Sequence, residues 1–385
     1  MSDRCIRRVR ATPVVVPAKP DSLNSPGIAD EDAGFLQKFK LGGYWSDFVH
    51  MPKWIIELET GEGAIGIGES YRTVSEAELE PTLSVLLGAD PLALSWRALP
   101  IENRRLYDAY ESAVLDLAGK SLGVPVYQLL GGKVRDSIEC LGWTARRTPA
   151  DAARKAHEAM EQGHRVFKFK IAESDSPREW CAAIKERCGE GMKVLLDPNQ
   201  RWGTVNNTLE LMRGVDLSVM YGLEDPIERQ DYAGFQTLKA ELGIPIFIHI
   251  SLPYLHQGQR VEDILPAIRT NCADGYNFNG SIFAFVELCK VAQWEGKPVW
   301  HGSEVDLGIL ETSYLHACAA AESCTIPSDI FGERVREDDL VLGGVTIKNG
   351  HAAVPETPGL GIELDRTALE RYRVGETVTR TLTGS

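Results

Sequence analysis

The chain of 385 residues is predicted to form an α/β barrel preceded by an α+β domain, on three observations. From Ser137 onward, eight short apolar strand candidates alternate with helical patterns. Lys170, Asp197 and Glu224 end successive strand candidates and follow one another at intervals of 27 residues, room for one strand-loop-helix-loop unit. No G-x-G-x-x-G follows the first strand, which disfavours a doubly wound open sheet.

In chain order, residues 4–16 alternate toward Val14-Val15-Val16 and read as a strand. Residues 17–47 are rich in Pro, Gly and Asp and then carry Phe35, Phe39, Tyr44 and Trp45. Such a loop serves as a lid or binding loop, or packs its aromatics on the domain; Trp45 is the candidate substrate contact. Residues 53–58 and 65–69, joined across Thr60-Gly61-Glu62-Gly63, read as a hairpin, and 76–87, 92–99 and 103–121 as helices. This places an α+β domain at 1–132 and a barrel at 133–345. The barrel's strand candidates lie near 138–144, 165–171, 193–197, 219–224, 245–251, 273–278, 298–301 and 324–330. Helices are expected at 149–162, 177–188, 205–213, 230–242, 260–269, 282–296 and 307–322. Residues 346–385 turn polar and are expected to pack back on the first domain.

A formal net charge of −14 argues against nucleic acid as a partner. Eight scattered cysteines without a C-x-x-C pair read as reduced thiols. No run approaches ~18 apolar residues and the N-terminus has no apolar leader segment, so the expectation is a cytoplasmic protein with no membrane span.

The polar strand ends suggest chemistry, because a barrel keeps its active groups at the carboxyl ends of its strands. Asp197 and Glu224 are of the right type to hold a divalent ion; alone, either could equally cap the following helix. Lys168 and Lys170 share one side of their strand. Lys170 is the candidate base: a neighbouring cation and a nearby metal disfavour its ammonium form.

Ala113 to Lys120, Gly123 to Gly132, and the Thr60-Gly61-x-Gly63-x-x-Gly66-x-Gly68-Glu69 hairpin accompany Lys168-x-Lys170, Asp197-x-Asn199 and Glu224-x-Pro226. Together they resemble the mandelate racemase/muconate lactonizing branch of the enolase superfamily over nearly the whole chain. The resemblance implies a capping domain over a modified (β/α)7β barrel and a homo-oligomer. It implies Mg2+ and abstraction of the proton alpha to a carboxylate of a small carboxylic acid. It gives Lys168 the task of orienting that carboxylate and lowering the pKa of Lys170.

There are departures. Relatives carry a third acidic ligand on the fifth strand, where this chain has Ile250 and no acid between Gly243 and Gln259. His249 ligates if the register differs by one residue; otherwise it donates to substrate or is a satisfied strand-end histidine. The sixth strand lacks the lysine of the lactonizing type and presents Asn277 and Asn279. His301 on the seventh strand is the candidate second acid/base, or a histidine packed against Trp300. Asp329, on the eighth, reads as structural or at the rim. Asn199, Asn277 and Asn279 are the candidate substrate contacts. The leading expectation is a dehydratase of a hydroxylated, acid-sugar-like carboxylic acid. The alternatives are a racemase or epimerase using Lys170 and His301, and a non-catalytic binding protein with an impaired metal site.

Overall fold

The computed structural model describes residues 3–29, 38–251 and 263–382. Strands β1 (Ile6–Pro17), β2 (His50–Thr60) and β3 (Ile65–Glu69) form an antiparallel sheet, to which Val378–Thr381 adds a fourth strand beside β1. The long helix α1 (Arg104–Leu122) lies across this sheet. It starts at Asn103, whose side chain accepts from the Arg105 N–H, and ends at Gly123 in the left-handed conformation. The two strand glycines let the helix come close: a Cβ on Gly68 would stand 1.8 Å from the Ala109 carbonyl oxygen, and one on Gly66 2.1 Å from that of Ala113. Of the helices expected over 76–87 and 92–99, a short one forms at Glu76–Leu79, continues as a 3-10 turn at Glu80–Thr82, and gives way to turns. That stretch holds Pro81, Pro91 and Gly88, which break a regular helix.

Seven parallel strands form the barrel wall: β4 (Gly142–Thr144), β5 (Val166–Lys170), β6 (Lys193–Asp197), β7 (Met220–Glu224), β8 (Ile246–Ser251), β9 (Gly275–Asn279) and β10 (Val299–His301), adjacent in chain order. Helices α2 (Pro149–Glu161), α3 (Pro177–Cys188), α4 (Val205–Leu211), α5 (Tyr232–Leu242), α6 (Ile264–Thr270), α7 (Ile282–Trp294) and α8 (Gly308–Ala320) follow the strands in turn. The segment expected as an eighth strand makes two isolated parallel bridges, Val299 with Cys324 and Cys140 with Ser328, and these carry the wall round toward β4. Pro327 supplies no N–H there, which limits the ladder. The fold is the expected modified barrel with a capping domain.

Alternation along the strands divides two cores. Phe167, Phe169, Ile248, Ile250 and Phe278 belong to the core shared with the helices, and Leu195, Phe247, Trp300 and Ile326 to the barrel interior. Phe247 and Trp300 meet edge to face with centroids 5.2 Å apart and form an apolar floor. The floor fits because β7 and β9 contribute glycines at this level: a Cβ on Gly222 would lie 2.3 Å from the Phe247 ring. The segment after residue 340 divides its packing. His351–Ala353 pairs with Ser137–Glu139 beside the barrel, while Val378–Thr381 returns to the capping sheet.

Candidate active site

Above the aromatic floor, alternate residues of β5 to β9 form a polar layer. Lys170 lies beside Asp197 in the β5/β6 register, and His249 beside Asn277 in that of β8/β9. Lys168 is nearly fully buried; its ammonium stands 2.6 Å from Glu224, 3.2 Å from Asp197 and 3.1 Å from Asp329. The Lys170 ammonium, on a side chain about a quarter exposed, stands 2.5 Å from Asp197. Both lysines and both carboxylates named from the sequence therefore converge. Asp329 joins them as a third carboxylate on Lys168, where sequence reasoning had assigned it a structural or rim position.

The electrostatics follow from one buried ammonium among several acids. Burial opposes the charge on Lys168, but Asp329, Glu224 and Asp197 hold its pKa well above the usual lysine range. Burial also opposes ionisation of Asp197, yet Lys170 and Lys168 keep it well below the usual carboxylate range. Glu224 is pushed up to about 8, first by burial and then by the charge of Asp197. The site is thus short of positive charge on the Glu224 side.

That side faces β8, and here the structure corrects the expected register. Ile250 points into the helix-side core. His249 faces inward, with Nδ1 3.7 Å from Glu224 Oε1. The His249 backbone N–H donates to Asp225 Oδ1 at 2.9 Å, and Asn277 Nδ2 donates to Glu224 Oε1 at 2.8 Å. Burial, then the charges of Arg229 and Lys168, drive the imidazole pKa well below its ordinary value, so it is neutral. Glu224, Asp225 and His249 each bring a donor atom within 4.8 Å of the others. Asp225 is also paired with Arg229 at 2.5 Å. Two carboxylates, a neutral imidazole and the raised pKa of Glu224 together fit a divalent cation.

Three non-glycine residues of the β6 and β7 connections have positive φ: Asn199 at 48°, Gln200 at 68° and Asp225 at 46°. Gln200 N–H donates to the Asp225 carbonyl at 2.6 Å and Gln200 Oε1 accepts from the Arg229 N–H at 3.1 Å, which stitches the two loops together. They bound a chamber of about 180 Å³ whose lining includes Lys168, Lys170, Asn199, His249, Glu304 and Asp329. A second cavity of about 600 Å³ shares Phe48, Trp143, Lys170, Asn199 and Arg201 with it and extends outward along Leu23, Ile28 and Val49. The part of the 17–47 loop with aromatic Phe35 falls outside the described residues. Its first portion forms the outer cavity, held by Thr144 Oγ1 donating to the Leu23 carbonyl and by Asp21 paired with Arg147, Arg154 and Lys155.

Of four further expected contacts, two fall elsewhere and two face inward on carboxylates. His301 faces the helix layer, stacked on Tyr314 with centroids 3.8 Å apart, beside Phe285, its Nδ1 on the Gly302 carbonyl. It is fully buried and does not line the chamber. The cause is parity: Phe278 and His301 are register partners, as are Asn277 and Trp300, so it is Trp300 that turns inward. Trp45 is 54% exposed on a two-residue hairpin strand under Lys40 and lines neither cavity. Asn277 and Asn279 face inward but serve carboxylates, Asn277 on Glu224 and Asn279 on Glu304 at 3.0 Å. Sequence reasoning missed Arg72, Phe48, Trp143 and Glu304. Arg72 and Glu304 pair at 2.8 Å across the two domains, and only the tertiary fold brings them together.

Comparison with known proteins gives the following. The profile of the family described as "Enolase C-terminal domain-like" matches residues 151–368. The chain is 28% identical over 348 residues to muconate cycloisomerase 1 of Pseudomonas putida, covering 83% of this chain and 89% of that protein. It is 25% identical to the N-succinyl-L-Arg/Lys racemase of Bacillus cereus, covering 88% and 94% respectively. A probable glucarate dehydratase of Streptomyces coelicolor is also 25% identical, with 95% and 90% covered. Among solved structures, the Bacillus cereus racemase superposes with a TM-score of 0.78 at 21% identity, over 98% of this chain and 100% of that one.

Proposed function

The chain belongs to the mandelate racemase/muconate lactonizing branch of the enolase superfamily, and from that premise we propose that it is a lyase: it removes the proton alpha to a carboxylate and expels a group from the beta carbon. One observation carries the choice. Lys170 reaches the chamber from the β5 side, while His301, the expected partner from the opposite wall, is turned into the helix layer. Racemisation needs a second proton-transfer group facing the other side of the alpha carbon. On that side β9 presents Asn277, whose amide transfers no proton, and the Glu304 carboxylate that lines the chamber beyond it is engaged by Arg72 at 2.8 Å and by Asn279 at 3.0 Å.

In this reading Lys170, as the free amine, takes the alpha proton. The electron pair of the broken C–H bond enters an enediolate and then forms the C=C bond as the beta substituent leaves. The ammonium just formed returns its proton to a departing hydroxyl on the same face, so one residue serves as base and then as acid. Lys168 stays charged beside the carboxylate end and contributes fixed positive potential where negative charge develops. A divalent cation held by Glu224 and His249, with Asp197 and Asp225 as adjacent carboxylates, would supply further stabilisation of that charge. Magnesium is the family's usual ion. The aromatic floor closes the bottom of the chamber, and Phe48 and Arg72 of the capping domain line its mouth.

The outer cavity refines the substrate class. Its Leu23, Ile28, Phe48, Val49 and Trp143 suit a tail with apolar or ring character better than a fully hydroxylated chain. The substrate is therefore read as a 3-hydroxy carboxylic acid, or one with another beta leaving group, and with such a tail. The test is a panel of these acids in deuterated water, followed by NMR. Release of the α,β-unsaturated acid, or of a 2-keto acid by tautomerisation of the enol where carbon 2 also carries a hydroxyl, supports the lyase. Alpha-deuteration with inversion and no product would replace it by the racemase reading.

A further inference from the structure

We propose that the dication of this site is a borderline transition ion, such as Mn2+, Co2+ or Zn2+, held in preference to Mg2+, with His249 as the selecting ligand. The inference rests on the preceding reading that a dication binds between Glu224 and β8, and concerns which ion that is.

The β8 segment Ile246-Phe247-Ile248-His249-Ile250-Ser251 contains no carboxylate, and the donor it brings within 4.8 Å of Glu224 and Asp225 is the His249 imidazole. That imidazole is placed rather than loose. Its backbone N–H is fixed on Asp225 Oδ1 at 2.9 Å, its ring lies 3.7 Å from Glu224 Oε1, and the residue is 8% exposed. Asn277 Nδ2 holds Glu224 Oε1 at 2.8 Å and so orients the facing ligand. Mg2+ is a hard ion that demands oxygen donors in near-octahedral array and dehydrates reluctantly. Imidazole nitrogen favours the later first-row ions, whose affinity rises from Mn2+ through Co2+. A neutral nitrogen in place of an anionic oxygen also removes one negative charge from the donor set, a loss that weighs most on an ion bound mainly by electrostatics.

The experiment uses the full chain stripped with chelator, titrated by calorimetry with MgCl2, MnCl2 and CoCl2 in turn. Pulsed electron paramagnetic resonance is recorded on the Mn2+-loaded protein. The proposal expects 14N coupling to the bound Mn2+. It also expects the ratio of Co2+ to Mg2+ affinity to fall by about tenfold or more in His249→Asp, through gained Mg2+ and lost Co2+ affinity. Wild-type spectra without 14N coupling overturn it even where the variant fails to fold, and so does an unchanged affinity ratio in a folded variant. Lys170-dependent alpha-deuteration in the presence of Mg2+, with no nitrogen ligation, would remove this inference and leave the lyase reading standing. Absence of both dication binding and exchange would remove the reading itself.

Discussion

Lys168 sets the charge balance of the chamber, and its removal has a consequence that can be measured. Its ammonium contacts Glu224, Asp197 and Asp329. In Lys168→Met these buried carboxylates lose their common partner, a change that costs about 3–5 kcal/mol where the charge stays uncompensated. A dication replaces the missing charge. The unfolding midpoint of Lys168→Met should therefore lie well below wild type after chelation and rise more than wild type on addition of MnCl2. An equal rise in both proteins would show that Lys168 and the ion do not share these carboxylates. Lys170 is a different case, because its side chain is a quarter exposed and paired to Asp197 alone among the described acids. Lys170→Ala should lower the unfolding midpoint less than Lys168→Met does, because Asp197 keeps Lys168 at 3.2 Å. It should cut the alpha-proton exchange rate by at least about 100-fold. A retained exchange rate would place the base elsewhere.

At the scale of the element, parity along a strand decides which residues meet the chamber. Strand β8 alternates Phe247, His249 and Ser251 inward with Ile246, Ile248 and Ile250 toward the helices. Ile250→Glu should destabilise by several kcal/mol, since it buries a charge beside its register partner Phe278 in the helix-side core. It should bring no gain in dication affinity, and tighter binding would show that position 250 faces the ion. This is also where the sequence ceased to be legible. The strand ends of β5, β6 and β7 could be read because each carries polar residues in an apolar run, so Lys168, Lys170, Asp197 and Glu224 announce their inward face. On β8 and β10 the inward and outward positions are both apolar or both ambiguous: Ile250 beside His249, and His301 beside Trp300. A one-residue shift of register exchanges the faces, and the deciding contacts, Asn277 on Glu224 and His301 on Tyr314, lie far along the chain. Trp45 failed for another reason, since a loop's aromatic content says nothing of where its tip lies.

At the scale of the whole molecule, the capping domain and barrel are joined by buried charge. Lys53 of β2 pairs with Glu69 of β3 and, at 2.6 Å, with Asp306 in the connection after β10. Asp306 in turn accepts from the Glu304 N–H at 2.8 Å and the Tyr314 hydroxyl at 3.0 Å, and Glu69 accepts from the Leu307 N–H at 2.8 Å. The hairpin glycines that admit α1 thus also position Glu69 under the loop that carries Ser303 and Glu304 into the chamber. Burial also keeps several histidines neutral. His164, His301 and His316 are each pushed down to about 4, chiefly by burial. In the unfolded chain each returns to about 6.5. Between about pH 6.5 and 4 the unfolded state therefore binds more protons than the folded state, and stability is lost as pH falls through that window, by up to about 1.4 kcal/mol per pH unit for each histidine. Glu111 and Glu224, raised to about 7 and about 8, act with the opposite sign over an overlapping range. The clean observable is consequently a difference between two proteins. His316 accepts from the Tyr127 N–H at 3.3 Å and holds the Leu360 carbonyl at 3.0 Å, away from the chamber. His316→Gln keeps polar atoms there and cannot be protonated. Urea unfolding at pH 7.5, 6.5, 5.5 and 4.5 should show the variant less stable than wild type above pH 6.5, because packing on Tyr127 is lost. The gap should narrow steadily at lower pH, as wild type alone pays for keeping this imidazole neutral. A gap constant across the range would mean that His316 has the same proton affinity in the folded and unfolded chain.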